Sequence, residues 1–434
     1  MKIFQDIHNK VKELNLIEQR RDFHQYPEPG WAEFRTASII AGKLRDYGFQ
    51  VKVGKSIMGE SRLGVPSADF LNSQYQRAFL QGGNPDFMES MKGGYTAVAG
   101  ILNCGEGPVI AMRFDIDALD IEETTDPAHL PNIYDYRSKN NGVMHSCGHD
   151  GHATIGLGVA KIISELKQHF KGTIKLIFQP AEEGVRGAKS IATSGFLDDV
   201  DYIYACHLWS QLPLGHIICG MDGEIATTKY DAKFIGKEAH AGIDPDNGNN
   251  ALLAAATAAL NLHTQPMSSK GLSRVNVGKL NAGSGRNIIA GSATLCLETR
   301  GSNSLIDEQL MENSLKIIKN AADMYNCGLK LIPMGSAKAV TSDNEIAEVV
   351  KTIAEKIDIY ENIIFKDIEN RGSEDFTCMM ERVKNNGGKA CFIGIGANVN
   401  DSGHHTTTFD FNENALAPAL ETFLFTTYLL SNKR

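Results

Sequence analysis

The chain has 434 residues, 42% of them hydrophobic and 22% charged, with a formal net charge of -9. This is ordinary globular composition and more chain than one core usually holds, so two or three domains are expected. The acidic balance excludes a general nucleic-acid binder, and an anionic ligand would need a local cluster of Arg or Lys.

Ile3, Ile7, Val11 and Leu14 recur at helical spacing, while Gln5, Asp6, His8, Lys10 and Lys12 interrupt any signal-peptide core. Two prolines between His24 and Glu33 break the pattern, which resumes as a helix over 36–47. Residues 54–93 are polar and punctuated by Gly and Pro, with a short helical piece over 70–79, and read as an insertion or flap. Strand-like runs follow over 95–102 and 109–114, the second leading straight into Asp115-Ile116-Asp117. A helix over 152–170 and strands over 173–178 and 202–208 come next. Strands alternating with helices predict an α/β fold, a mixed sheet flanked by helices.

From 226 to 338 the pattern changes to strand 227–235, helix 250–263, strands 274–280 and 291–298, helix 304–325 and strand 329–333. That β-α-β-β-α-β order predicts a ferredoxin-like α+β domain. Helix and strand patterns return at 345–357 and 390–394. The larger domain is therefore expected to be discontinuous, over 1–225 and 339–434, with 226–338 inserted as a lid and dimerisation domain. The eight cysteines (Cys104, Cys147, Cys206, Cys219, Cys296, Cys327, Cys378 and Cys391) form no C-x-x-C pair, which fits reduced thiols and a cytoplasmic protein. No stretch nears ~18 uncharged apolar residues, so no membrane partner is expected.

Four segments concentrate metal-binding chemistry. Met144-His145-Ser146-Cys147-Gly148-His149-Asp150-Gly151-His152 holds three His, one Cys and one Asp in nine residues. Cys147 and His149 flank a glycine, so a tight turn can aim thiolate and imidazole at one point. Asp150 stands where the N-cap of the next helix belongs. Gln179-Pro180-Ala181-Glu182-Glu183-Gly184 ends a predicted strand, and adjacent carboxylates there can bind a metal and move a proton. Cys206-His207-Leu208-Trp209 and Gly403-His404-His405 add imidazoles at or near strand ends. Singly, these are a solvated acidic turn and unremarkable histidines. Together they place Cys, His, Glu, His and His where α/β sheets bind ligands. Five donors exceed one tetrahedral ion and suit two ions, ~3.5–4 Å apart with one bridging ligand.

On these segments the chain resembles the M20 metallopeptidase family, in its amidohydrolase branch. The resemblance extends through Arg21-Asp22-Phe23-His24, Glu33-Phe34-Arg35-Thr36, Asp115-Ile116-Asp117-Ala118-Leu119 and Ala239-His240-Ala241-Gly242. It continues through Gly283-Ser284-Gly285-Arg286-Asn287, Gly372-Ser373-Glu374-Asp375 and Phe409-Asp410-Phe411. It implies two divalent ions per subunit, zinc or manganese, on Cys147, His149, Glu183, His207 and His405, with Cys147 where other branches place a bridging Asp. Glu182 would be the general base and Asp117 an acid that orients a ligand. His240 would reach into the active site of the partner subunit and hold the oxyanion, and Arg286 and Asn287 would bind a substrate carboxylate or the oxyanion. The implied reaction is hydrolysis of a small anionic amide by a homodimer, or a heterodimer with a related subunit. An aminobenzoyl-glutamate-type folate catabolite comes first. A general N-acyl amino acid or dipeptide is the alternative substrate. More distant is a binding subunit with no catalysis. Two departures stand out. Asp120 replaces a proline, and His405-Thr406-Thr407 replaces His-Ser-Pro, which leaves His404 open as the last ligand.

Overall fold

The computed structural model describes residues 2–368, 372–399 and 402–433. Its centre is an eight-stranded mixed sheet. In spatial order the strands are Gln50–Val53, Val98–Asn103, Thr173–Gln179, Val109–Asp115, Tyr202–Trp209, Lys389–Gly396, His216–Ile218 and Asn362–Ile364. The four from Thr173–Gln179 to Lys389–Gly396 run parallel, and Gln50–Val53 and Val98–Asn103 extend one side antiparallel. The parallel strands are buried along nearly their whole length, as strands covered on both faces must be. Helices His149–Glu165 and Leu416–Ser431 pack together against them. The approach is close enough that a Cβ on Gly156 would lie 2.6 Å from the Phe178 ring, so only glycine fits there.

A second, antiparallel sheet has the spatial order Gly328–Ala337, Ala226–Ile235, Ser292–Gly301, Ser273–Ala282. Ser292–Gly301 alternates buried and less buried residues along its length, the period of a sheet packed on one face. Helices Ala251–Leu262 and Ser304–Met324 supply that packing, in a core that includes Ala232, Phe234, Ala258, Leu295 and Ile318. This is the predicted β-α-β-β-α-β order. The unpredicted addition is a ribbon in which Ala239–His240 pairs antiparallel with Ile288–Ile289.

Three expectations change. The segment 54–93, read as an insertion or flap, is packed rather than detached: Ser67 caps helix Ala68–Leu80, and Leu71, Ala78, Met88 and Met91 join the main core. Trp31 Nε1–H also donates to Leu63 O (2.8 Å), and Gly64 N–H reaches Pro333 O in the smaller unit (3.3 Å). Asp150 is not an N-cap, because helix His149–Glu165 starts earlier, on Gly148 at φ +91°. Its buried carboxylate instead binds Arg20 Nε (2.7 Å) and His24 Nδ1 (2.9 Å). Helices Phe376–Asn385 and Leu416–Ser431 were not expected; the latter is apolar around most of its circumference, so it lacks the one-sided periodicity that marks a helix. No helix among the described residues is long and apolar enough to cross a membrane.

Candidate metal centre

The site grows from the carboxyl ends of the parallel strands. Beyond Val109–Asp115, the Asp117 carboxylate accepts the N–H groups of Glu182 and Glu183, each at 3.0 Å. The Asp117 carbonyl oxygen lies 2.9 Å from His149 Nδ1. A carbonyl only accepts, so the neutral ring carries its proton on Nδ1 and keeps a lone pair on Nε2. That Nε2 is buried without a hydrogen bond, and Glu183 Oε1 has only His405 Nε2 within reach, at 3.3 Å. Buried, unpaired donor atoms are costly unless something else binds them.

The Glu182–Glu183 loop is backbone-strained. Ala181 and Val185, neither of them glycine, have φ of +51° and +60°, and Gly184 between them takes +80° without cost. Glu33 Oε1 accepts Ala181 N–H (2.8 Å), and Val185 N–H returns to Glu182 O (2.7 Å). Such strain persists only where surrounding contacts over-determine it. The smaller unit contributes too: Ser336 N–H donates to Val185 O (2.8 Å), and a Cβ on Gly335 would fall 2.3 Å from Gly184 O.

His207, near the end of Tyr202–Trp209, places Nδ1 3.0 Å from Leu208 O and Nε2 3.4 Å from Cys147 Sγ. His152 braces this strand. Its Nε2 accepts Leu208 N–H (2.9 Å) while Nδ1–H donates to Asp115. Donor atoms of Cys147, His149 and His207 lie within 4.8 Å of one another; so do those of Cys147, Glu183 and His405, and those of His149, Glu182 and Glu183. Cys147 belongs to both cysteine groupings. His404 and His405 differ in chemistry. His404 Nε2 accepts Ser210 N–H (3.1 Å), so its proton sits on Nδ1, 3.6 Å from Cys147 Sγ. His405, at φ +61°, puts Nε2 3.3 Å from Glu183 Oε1.

The charges show a site built for a cation. Burial, then the nearby Glu374 and Glu183 charges, push Glu182 well above the usual carboxylate range. Burial and the Glu183 charge push the Cys147 thiol up. Burial opposes a proton on His149, yet the Asp115 charge and Asp117 outweigh it and hold the pKa at about 10. Acids too crowded to ionise and a histidine that draws a proton are what a carboxylate-rich pocket does without a dication; a bound dication favours the thiolate and carboxylates instead. The donor set therefore fits divalent metal.

Other residues of this site went unassigned in the sequence. Arg113, fully buried within a strand, binds Asp115 and Glu374, the latter at 2.9 Å. Asp375 accepts the N–H groups of Gly187 and Ala188 (2.9 Å each) and Gln179 Nε2–H (2.7 Å), fixing the far end of the glutamate loop. The signal was present: an Arg in the apolar run Val109-Ile110-Ala111-Met112-Arg113 demands buried carboxylates.

His240, Arg286 and Asn287 come together elsewhere, on the ribbon of the smaller unit. Ala241 N–H donates to Asn287 O (3.0 Å), and His240 Nδ1 accepts the N–H groups of Gly242 (3.2 Å) and Ile243 (3.1 Å). All three residues are exposed, and none lines the cavity of about 290 Å³ above Cys147, Glu182, Glu183, His207 and His405.

Residues 111–427 match the model of peptidase family M20/M25/M40. The chain is 43% identical over 409 residues to one of the subunits of the p-aminobenzoyl-glutamate hydrolase of Escherichia coli (strain K12), covering 94% of each chain. It is 42% identical over 413 residues to the indole-3-acetyl-aspartic acid hydrolase of Enterobacter agglomerans, covering 95% of this chain and 94% of that one. Among solved structures, an aminobenzoyl-glutamate utilization protein from Klebsiella pneumoniae superposes with a TM-score of 0.85 at 35% identity, covering 100% of both chains.

Proposed function

The chain belongs to the M20 peptidase family and is an amidohydrolase of that type; on that footing we propose that it cleaves the amide bond of an N-acyl amino acid, p-aminobenzoyl-glutamate foremost. The observation that carries this reading is the Glu182 carboxylate standing within 4.8 Å of donor atoms of His149 and Glu183, beside a converging set of Cys, His and Glu. A binding subunit with no chemistry to perform has no use for a buried carboxylate beside the donors.

Cys147, His149, Glu183, His207 and His405 would hold two divalent ions, zinc or manganese, with Cys147 shared between them. His405 is preferred over His404 because the His404 Nε2 lone pair is engaged by Ser210 and its Nδ1 carries a proton. Bound there, the ions supply an acidified water and polarise the amide carbonyl. Glu182 takes the proton of the attacking water and returns it to the departing nitrogen, so one carboxylate serves both halves of the reaction. Asp117 holds both glutamates and His149 in register through the backbone.

The ribbon of the smaller unit, within the inserted 226–338 domain, would complete the site of a second subunit, in a homodimer or a heterodimer with a related chain. A neutral His240 whose Nδ1 accepts two N–H groups carries its proton on Nε2, a donor suited to an oxyanion. Arg286 and Asn287 beside it would bind a substrate carboxylate. The exposed Leu252, Leu253, Leu260 and Ile243 of the same unit suit a covered face. Eight free thiols fit a cytoplasmic location. A second reading, a general N-acyl-amino-acid hydrolase or dipeptidase, uses the same machinery. The test is a hydrolysis screen of glutamate-, aspartate-, glutamine- and alanine-capped amides with zinc or manganese supplied separately. Cleavage of none of them would remove the proposal.

A further inference from the structure

The cavity above the metal-binding donors takes part of its lining from the smaller sheet, where Lys229 and Arg300 face it. The two cations are not equivalent. Arg300 is occupied, with Nε 2.9 Å and Nη2 3.2 Å from the Glu298 carboxylate. Lys229 sits opposite both Glu298 and Gly335 in register. Its stem lies along the Gly335 backbone, with Cδ 3.2 Å from where a Cβ would be. Among the described residues its ammonium makes no hydrogen bond and no ion pair; Glu298, Glu182 and Glu183 act on it only through space. Of the two described cations lining this cavity, Arg300 has a carboxylate partner and Lys229 has none. A partly dehydrated ammonium without a counter-ion is unfavourable unless an anion joins it.

We propose that Lys229 reads the side-chain carboxylate of the substrate's amino-acid half, and so makes this enzyme prefer N-acyl aspartate and glutamate over neutral amino acids. The inference rests on the acyl-amino-acid hydrolase reading above. An acidic substrate brings two carboxylates. Arg286 and Asn287 are the candidates for the one every amino acid carries, and Lys229 is the uncommitted cation left for the one that distinguishes glutamate from glutamine. The rival role is a counter-ion for the Glu182–Glu183 pair, which would matter equally to every substrate.

The experiment compares kcat/KM for p-aminobenzoyl-glutamate and p-aminobenzoyl-glutamine, its isostere with an uncharged side chain, in metal-loaded wild type, Lys229→Met and Lys229→Arg. Met keeps the stem and removes the charge. The expected result is that Lys229→Met lowers the glutamate-over-glutamine preference about 10- to 100-fold, mainly through KM, and that Lys229→Arg restores part of it. An equal fall for both amides, or no change in the ratio, overturns the proposal. If neither amide turns over, the hydrolase reading fails first. Lys229 is then judged by calorimetric binding of the two amides to metal-loaded Glu182→Gln protein, with and without Lys229→Met. A selective loss of glutamate-amide affinity sustains the proposal, and an unchanged affinity ratio overturns it.

Discussion

The strand-end cluster and the ribbon of the smaller unit carry equally recognisable sequence motifs, yet the fold treats them in opposite ways. Around Cys147, His149, Glu182, Glu183 and His207 the supporting groups have assigned partners, from Asp117 beneath the glutamates to His152 beneath the Tyr202–Trp209 strand, while the inward-facing His149 Nε2 has none. Around His240, Arg286 and Asn287 the side chains project into solvent from a two-residue ribbon. One region is a finished set of donors. The other, among the described residues, lines no part of the cavity above those donors. A buried site can be completed by one chain's packing; whether an exposed constellation serves a second chain is decided by supplying one.

The sharpest way to break this contrast is at the base. Glu182→Gln is expected to lower turnover by ~10²–10⁴-fold or more while leaving metal content near normal, read by elemental analysis beside steady-state kinetics. Retained activity in metal-loaded mutant protein would remove Glu182 from the chemistry. Next come the donors. Cys147→Ala and His149→Ala should lose metal and activity together, Cys147→Ala the more severely, and His405→Ala should lose metal where His404→Ala keeps most of it. Full occupancy in Cys147→Ala would end the shared-ligand assignment.

The ribbon is tested by mixing chains. His240→Ala should mainly lower kcat, and Arg286→Ala should mainly raise KM for glutamate-capped amides. Combined with Glu182→Gln chains after proven subunit exchange, His240→Ala should recover about a quarter of wild-type activity. Half of randomly mixed dimers are hybrid, and each hybrid keeps one of its two sites. A mixture as inactive as its parents would mean that each site is built from one chain.

The smallest expected effect concerns the network under the cluster. Burial and the Arg20 charge oppose a proton on His24, but Asp150 and Glu123 outweigh them and hold its pKa at about 9. A folded-state value above the unfolded one of ~6.5 means that protonation stabilises the fold fully below pH ~6.5, and that this contribution fades as pH rises through 9. Unfolding free energies from denaturant melts of metal-loaded protein should therefore fall between pH 6.5 and 9.5, by on the order of 1–3 kcal/mol, and His24→Gln should flatten that limb. An unchanged slope in the mutant would show that another group titrates. On the acid side Asp150 and Glu123 are held below the usual range, so their contribution is complete above that range, declines below it and is gone only once pH falls through their lowered folded-state values.

Much of this was legible in the primary sequence because the relevant forces are local. Short β-rich apolar runs and period-3.6 patterns marked the buried strands and the amphipathic helices, and clustered His, Cys and Glu marked the donors. What stayed hidden depended on partners distant in sequence. Asp150 reads as a cap until Arg20 and His24 arrive from the first fifty residues. Lys229 is one polar residue in an alternating strand until the cavity closes around it. The Leu416–Ser431 helix is apolar nearly all round because neighbours cover it, so the usual stripe is missing. The segment 54–93 looked loose because its glycines and prolines are visible in sequence and its contacts to Trp31 and Pro333 are not.

The hydrogen bond from Ser336 N–H to Val185 O crosses from the smaller unit to the loop that carries both glutamates. It makes the joint between the units a transmission rather than a pivot. A rotation that swings the Gly328–Ala337 strand away must either break this link or drag Val185, whose own N–H is tied to the Glu182 carbonyl. If the link holds, such a rotation would displace Val185 and, with it, the Glu182 that the proposed mechanism uses as proton carrier. Amide hydrogen exchange at Ser336 and Val185 should accordingly rise and fall together, since both report the same motion.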